Sequence, residues 1–116
     1  MRIGKFFLRE EFACNCNCGF DTVDTELITI LDKVRMHFAK PVTITSGCRC
    51  PEYNGKVGGA LRSQHVLGRA ADIQVKDTDP ADVAAYLEDI QAPGVGRYNT
   101  FTHVDSRSSR GARWKG

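Results

Sequence analysis

The stretch Ser63-Gln64-His65-Val66-Leu67-Gly68-Arg69-Ala70-Ala71-Asp72 sets an imidazole and a carboxylate at a short spacing around a glycine. Both groups ligate zinc, and a catalytic zinc usually takes three protein ligands and keeps a fourth position for water. A third ligand is therefore needed, and the histidines are His37, His65 and His103. His37 falls near the end of a segment with helical period, where a lone histidine reads as a surface residue or a partner of the helix dipole. His103 lies in Phe101-Thr102-His103-Val104-Asp105-Ser106-Arg107, rich enough in β-branched and aromatic residues for a strand. Alternate residues of a strand share a face, so Phe101, His103 and Asp105 are expected to point one way and Thr102, Val104 and Ser106 the other. That face delivers a ligand and a carboxylate together.

The elements that must carry these groups can be read from periodicity. Residues 21–39 turn helical, with Leu27, Ile30, Leu31, Val34 and Phe38 forming one apolar stripe. Asp24 or Thr22 is expected to cap its start, with Glu26 in the first turn. Val42-Thr43-Ile44-Thr45-Ser46 alternates like a half-buried strand, and Gly47 breaks it into a loop carrying Arg49. Asn54-Gly55-Lys56-Val57-Gly58-Gly59-Ala60 is expected to be an irregular loop; it lacks the order of a phosphate-binding loop. A strand is expected to open at Asp72. Asp79 and Pro80 begin a second helix, on which Val83, Leu87 and Ile90 share a face. Residues 95–98 and 101–107 read as a hairpin turning at Asn99-Thr100, which would bring His103 to the centre of a sheet. Trp114, in the basic tail, is expected to pack back onto the domain.

The pattern Ser63-x-His65-x-x-Gly68-x-Ala70-x-Asp72 with the later His103 resembles the zinc D-Ala-D-Ala carboxypeptidases and the phage endolysin peptidases of the peptidoglycan-cleaving M15 class. The resemblance extends to Ser46-Gly47-Cys48-Arg49-Cys50-Pro51-Glu52-Tyr53-Asn54 and to Gly94-Val95-Gly96-Arg97-Tyr98. It implies a small α+β domain like that of the hedgehog and D-Ala-D-Ala peptidase group, with a mainly antiparallel sheet and two or three helices. It also implies a zinc-dependent metallopeptidase, a hydrolase of carboxypeptidase or endopeptidase type acting on peptidoglycan stem peptides in cell wall degradation. A bacteriophage or prophage origin goes with it. His65, Asp72 and His103 become the metal ligands. Arg49, whose planar guanidinium matches a carboxylate, becomes the group that holds the terminal carboxylate of the substrate. Ser63 is expected to bind substrate or orient a ligand.

Many of the resembling enzymes carry an acidic residue three positions before the last histidine ligand, where this chain has Thr100. Asp105 is then the candidate for the catalytic base that moves a proton to the leaving amine, because alternation sets it on the face of His103. The competing role for Asp105 is to orient a ligand or an arginine.

Composition agrees with this reading. A length of 116 residues suits one domain over 1–116, divided into a Cys-rich arm (1–20), a core (21–107) and a tail (108–116). Apolar and charged shares of 41% and 26% are those of an ordinary globular chain. A net charge of +2 leaves no nucleic-acid footprint, and no membrane insertion is expected. Charges interrupt the N-terminal segment before a signal-peptide core forms. The expectation is synthesis in the cytoplasm, as a monomer, with action on the wall after release or within a virion.

Five cysteines remain. They cannot all pair within one chain, and Cys14, Cys18, Cys48 and Cys50 could bind a second, structural zinc or stand free or disulfide-bonded. Three functions follow: a zinc peptidase, a peptidoglycan-binding module that keeps the metal site but turns over weakly or not at all, and a cysteine-zinc interaction protein in which His65 and Asp72 are incidental.

Overall fold

The computed structural model describes residues 2–116 apart from 17, 20, 22, 59–62 and 110, and of Pro51 only the backbone. Strands β1 (Arg2–Ile3) and β2 (Phe7–Leu8) form a small antiparallel hairpin that runs into a 3-10 turn, Arg9–Phe12. Helix α1 (Thr25–Phe38) starts later than its periodicity suggests, and its stripe of Leu27, Ile30, Leu31 and Val34 is buried. Asp24 holds the N-cap position, its carbonyl accepting the Ile28 amide at 3.2 Å, but its side chain makes no capping bond; Oδ2 accepts the hydroxyl of Ser106 at 2.6 Å instead. Thr22, the other candidate cap, lies outside the described residues.

Strand β3 (Val42–Ser46) leads to helix α2 (Pro51–Lys56), which replaces the irregular loop expected from Asn54 onward. Gly55 costs a helix interior about 1 kcal/mol. Pro51 at the first turn and the Cys50 thiol, which accepts the amide of Tyr53, favour the helix and outweigh that cost. The end of that expected loop, at 59–60, is outside the described residues. Strand β4 (Ala70–Val75) begins two residues before Asp72. Helix α3 (Pro80–Asp89) is capped by Asp79, whose Oδ1 accepts the amide of Ala81 at 3.0 Å. Strands β5 (Gly94–Arg97) and β6 (Thr102–Asp105) make the expected hairpin, and the tail adds β7 (Ala112–Lys115).

Strands β3 to β7 form one sheet in the order β3-β4-β6-β5-β7, antiparallel except for the β5–β7 pair. This is the α+β arrangement with three helices, and β6 occupies the centre. One face of the sheet sends Ala71, Ile73, Val75, Val95 and Val104 into the core beneath α1 and α3. Each large apolar side chain buried there contributes roughly 1.5–3 kcal/mol. The radius of gyration, 12.9 Å against about 13.4 Å for a compact chain of this length, is that of a tightly packed fold. Among the described residues no helix is long and apolar enough to cross a membrane.

The other face carries the polar residues, and register aligns them. Ser46 pairs with Asp72, Asp72 with His103, His103 with Gly96, and Gly96 with Trp114. Cross-strand partners point to the same side of a sheet. A single row across all five strands therefore assembles most of the chemistry of the chain.

Candidate metal centre

Two members of the row, Asp72 and His103, meet a third group delivered from above the sheet. His65 sits in a turn over 63–68, closed by the amides of Val66, Leu67 and Gly68 on the carbonyls of Ser63, Gln64 and His65. Gly68 takes a φ of 70°, a left-handed conformation that glycine adopts without cost. The turn is fastened on two sides. The amide of Arg49 donates to the His65 carbonyl at 3.0 Å, and the amide of Asp24 donates to the Gly68 carbonyl at 2.8 Å.

Asp72 Oδ1 lies 3.2 Å from His65 Nε2 and 3.0 Å from His103 Nδ1. All three residues are buried. One ligand atom from each falls within 4.8 Å of the others, so a single ion can reach all three. His37 is elsewhere, stacked on Tyr86 with ring centroids 3.9 Å apart.

The outer nitrogens of the two imidazoles decide what the inner ones present. His65 Nδ1 lies 2.7 Å from the carbonyl oxygen of Gly47, which can only accept, so that nitrogen carries hydrogen. His103 Nε2 lies 2.8 Å from Asp105 Oδ2, a carboxylate already paired with Arg107, and it too must donate. If the rings are neutral, His65 Nε2 and His103 Nδ1 turn lone pairs towards a carboxylate oxygen about 3 Å away. Three electron-rich atoms then converge with nothing positive between them, which requires either two extra protons or a cation. The donor set, two imidazoles and a carboxylate with their outer atoms held, is the one a catalytic zinc takes.

Where protons rather than a cation lie between these atoms, the inner nitrogens donate to Asp72 and ionisation shifts accordingly. Burial opposes the charge on Asp72, but hydrogen bonds from His103 and His65 outweigh it and hold the carboxyl well below the usual range. Burial also opposes the charge on Asp105, where hydrogen bonds from Arg107 and His103 prevail and the carboxyl is again held low. For His103 burial favours the neutral ring, while the hydrogen bonds to Asp105 and Asp72 carry its pKa above the ordinary value.

The centre opens into a cavity of about 570 Å³ whose wall includes Arg49, Ser63, Tyr98, Arg107 and Trp114. Arg49 is held by three acceptors: Ser46 Oγ at 3.1 Å, Asn54 Oδ1 at 3.3 Å and Asp72 Oδ2 at 3.3 Å. These use three of the five N–H donors of a guanidinium. Ser63 also lines the cavity, and its hydroxyl accepts the amide of His65 at 3.1 Å.

Asp105, the candidate base, stands beside Arg107. It is fully buried, and both of its oxygens are bonded to the Arg107 guanidinium, at 2.8 and 2.7 Å. It meets the side of His103 that faces away from Asp72. Among the described residues Asp72 is the sole carboxylate lining the cavity.

Several contributors carried only weak signals in the sequence. Arg107 is two residues beyond Asp105, and its guanidinium also lies over the Trp114 ring at 5.1 Å. Trp114 packs back as expected, and in doing so walls the centre: its ring is 4.8 Å from His103 and its Nε1 donates to the Tyr98 hydroxyl at 2.9 Å. Gly94 and Gly96 make room for these groups. A Cβ on Gly96 would meet the indole of Trp114 at 2.6 Å, and one on Gly94 would overlap the Asp105 carboxylate. Alternate glycines inside a strand signal such close approach.

Away from this centre, Cys14, Cys16, Cys18 and Cys50 bring their sulfurs within 4.8 Å of one another. Cys16 stands in that group where Cys48 was the expected member. Cys48 is buried beside the arm, its amide donating to the Phe12 carbonyl at 2.8 Å.

Comparison with known proteins agrees with the geometry. The profile of a family described as Peptidase M15 matches residues 5–105. The zinc D-Ala-D-Ala carboxypeptidase of Streptomyces albus G is 33% identical over 76 residues, a stretch that covers 61% of this chain and 30% of that relative. The match thus spans under a third of the relative's length.

Proposed function

This chain belongs to the peptidase M15 family, and from that premise we propose that it is a zinc-dependent peptidase hydrolysing peptide bonds in bacterial peptidoglycan. The observation that carries the reading is the convergence of His65 Nε2, His103 Nδ1 and Asp72 Oδ1 at the floor of a cavity, with the outer imidazole nitrogens already committed to acceptors. These three residues would hold the zinc. When bound, the ion supplies Lewis acidity towards an amide carbonyl and makes water nucleophilic near neutral pH.

The remaining work falls to this chain's own groups. Arg49, on the cavity wall beside Asp72, keeps two N–H donors for a substrate carboxylate, as a carboxypeptidase requires. Ser63 shapes the turn that presents His65 and offers its hydroxyl to the cavity. Asp105 orients His103 and fixes its tautomer, a role its burial and its pairing with Arg107 favour over that of a base. That no second carboxylate lines the cavity among the described residues favours, as the second reading, a peptidoglycan-binding module of weak or absent turnover. The likeness to endolysins supports lysis by a phage or prophage as the setting.

Incubation with defined muropeptides, with products identified by mass spectrometry, tests the proposal. Release of a terminal residue marks a carboxypeptidase, an internal cut marks an endopeptidase, and no product at all leaves only the binding module. His65→Ala, Asp72→Ala and His103→Ala should each lose zinc at this centre and all hydrolysis. Undiminished hydrolysis in any of them would overturn the ligand assignment. Arg49→Ala should raise KM chiefly for peptides with a free terminal carboxylate; an unchanged KM on such peptides would remove Arg49 from the site.

A further inference from the structure

Four thiols gathered at the surface of a small domain call for an explanation other than packing. Cys14 is buried, but Cys16 and Cys18 are exposed and Cys50 is half-buried, so the group as a whole fills no core. Three of the sulfurs are evenly spaced: Cys14 Sγ to Cys16 Sγ 3.4 Å, Cys16 Sγ to Cys50 Sγ 3.6 Å, Cys14 Sγ to Cys50 Sγ 3.8 Å. Zinc–thiolate bonds of about 2.3 Å at tetrahedral angles put sulfurs about 3.8 Å apart. A disulfide needs about 2.05 Å and joins sulfurs in pairs. Three sulfurs at near-equal spacing, with that of Cys18 within 4.8 Å of each, fit a common centre better than they fit two bridges.

Two amides support the charged form that a metal requires. The Cys50 amide donates to Cys14 Sγ at 3.4 Å, and the Tyr53 amide donates to Cys50 Sγ at 3.4 Å. A hydrogen bond donated to sulfur favours the thiolate, which is the ligand, over the thiol.

We infer that Cys14, Cys16, Cys18 and Cys50 bind a structural zinc as four thiolates, clamping the N-terminal arm to the start of α2. The clamp acts where it matters for the first centre. Cys50 adjoins Arg49, the Cys48 amide is tied to Phe12, and Asn15 Nδ2 donates to the Thr45 carbonyl at 3.0 Å. Gly47, whose carbonyl fixes the tautomer of His65, lies so close to the Phe12 backbone that a Cβ there would meet it at 2.7 Å. The arm and the loop over 46–50 therefore hold one another, and the zinc closes the join.

The test is zinc content of the full chain, purified under reducing conditions and measured by mass spectrometry of the metal. Two zinc ions per chain are expected, falling to one in Cys16→Ser, in Cys18→Ser and in His65→Ala, with Cys48→Ala retaining two. One zinc in the wild type that disappears with His65→Ala would overturn the inference. One zinc that disappears with Cys16→Ser and survives His65→Ala would support it and sink the hydrolase centre instead. Loss of an ion in Cys48→Ala would overturn this ligand set. Cobalt exchange into the unaltered protein guards against misfolded variants: a strong sulfur-to-cobalt charge-transfer band is expected, and its absence counts against thiolate ligation.

Discussion

At the scale of single residues, the two imidazoles differ in how their outer nitrogens are held. His65 donates to a neutral carbonyl, whereas His103 donates to a carboxylate that is itself paired with Arg107. Asp105→Asn keeps the shape and removes the charge, so it should weaken zinc binding at this centre about 10- to 100-fold. A competition titration against a chelator measures that ratio, and an unchanged affinity would deny Asp105 its positioning role. The types of the candidate ligands, His65, Asp72 and His103, were legible in the sequence because each is a good zinc donor. The seat of Asp105 was not. Strand alternation sets it on the face of His103 but does not say whether cavity or arginine meets it there.

At the scale of elements, the row Ser46–Asp72–His103–Gly96–Trp114 ties function to register. Slipping one strand by a residue would turn its member of the row into the core. The glycines of β5 are where this row is most constrained. Gly94→Ala is expected to destabilise more than Gly96→Ala, because the first meets a buried ion pair and the second an indole at the protein surface. Overpacking of this kind costs about 1–3 kcal/mol, and urea unfolding of both variants would rank them. Equal stability to wild type in Gly94→Ala would show that Asp105 can move freely.

Helix α3 is joined to β5 by Glu88 and Arg97, 2.8 Å apart. Hydrogen bonds from Arg97 hold the Glu88 carboxyl below its usual range. A folded-state pKa below the unfolded one adds stability above the unfolded pKa of about 4.3, lost as pH falls through the folded value. Half-exposed as it is, the pair should contribute under about 1 kcal/mol. Thermal melts of Glu88→Gln and wild type should therefore differ slightly at pH 7 and coincide near pH 3. A difference that grows in acid would reverse the assignment.

At the scale of the whole molecule, the sheet divides the labour: α1, α3 and an apolar core on one side, the candidate metal centre and its cavity on the other. Ligand removal should be felt globally, since an ion bound only by the folded chain adds about 2.7 kcal/mol at a concentration one hundred times its dissociation constant. For a domain of this size that is on the order of 10 °C in Tm. Melts with added zinc and with chelator would show the shift, and its absence in His65→Ala at the same cysteine-bound zinc content would assign it to the first centre. The sequence by itself determined the donor types, the helices α1 and α3 and the strands β3, β4, β5 and β6, because periods of two and of three to four are local and survive in any short window. The tertiary structure alone decided that Asp72 stands beside His103, that a carbonyl of Gly47 turns His65 inward, that Cys16 rather than Cys48 joins the thiol group, and that the tail closes the sheet. Those are outcomes of chain closure over long separations, where strand register and backbone approach, not residue type, set which atoms meet.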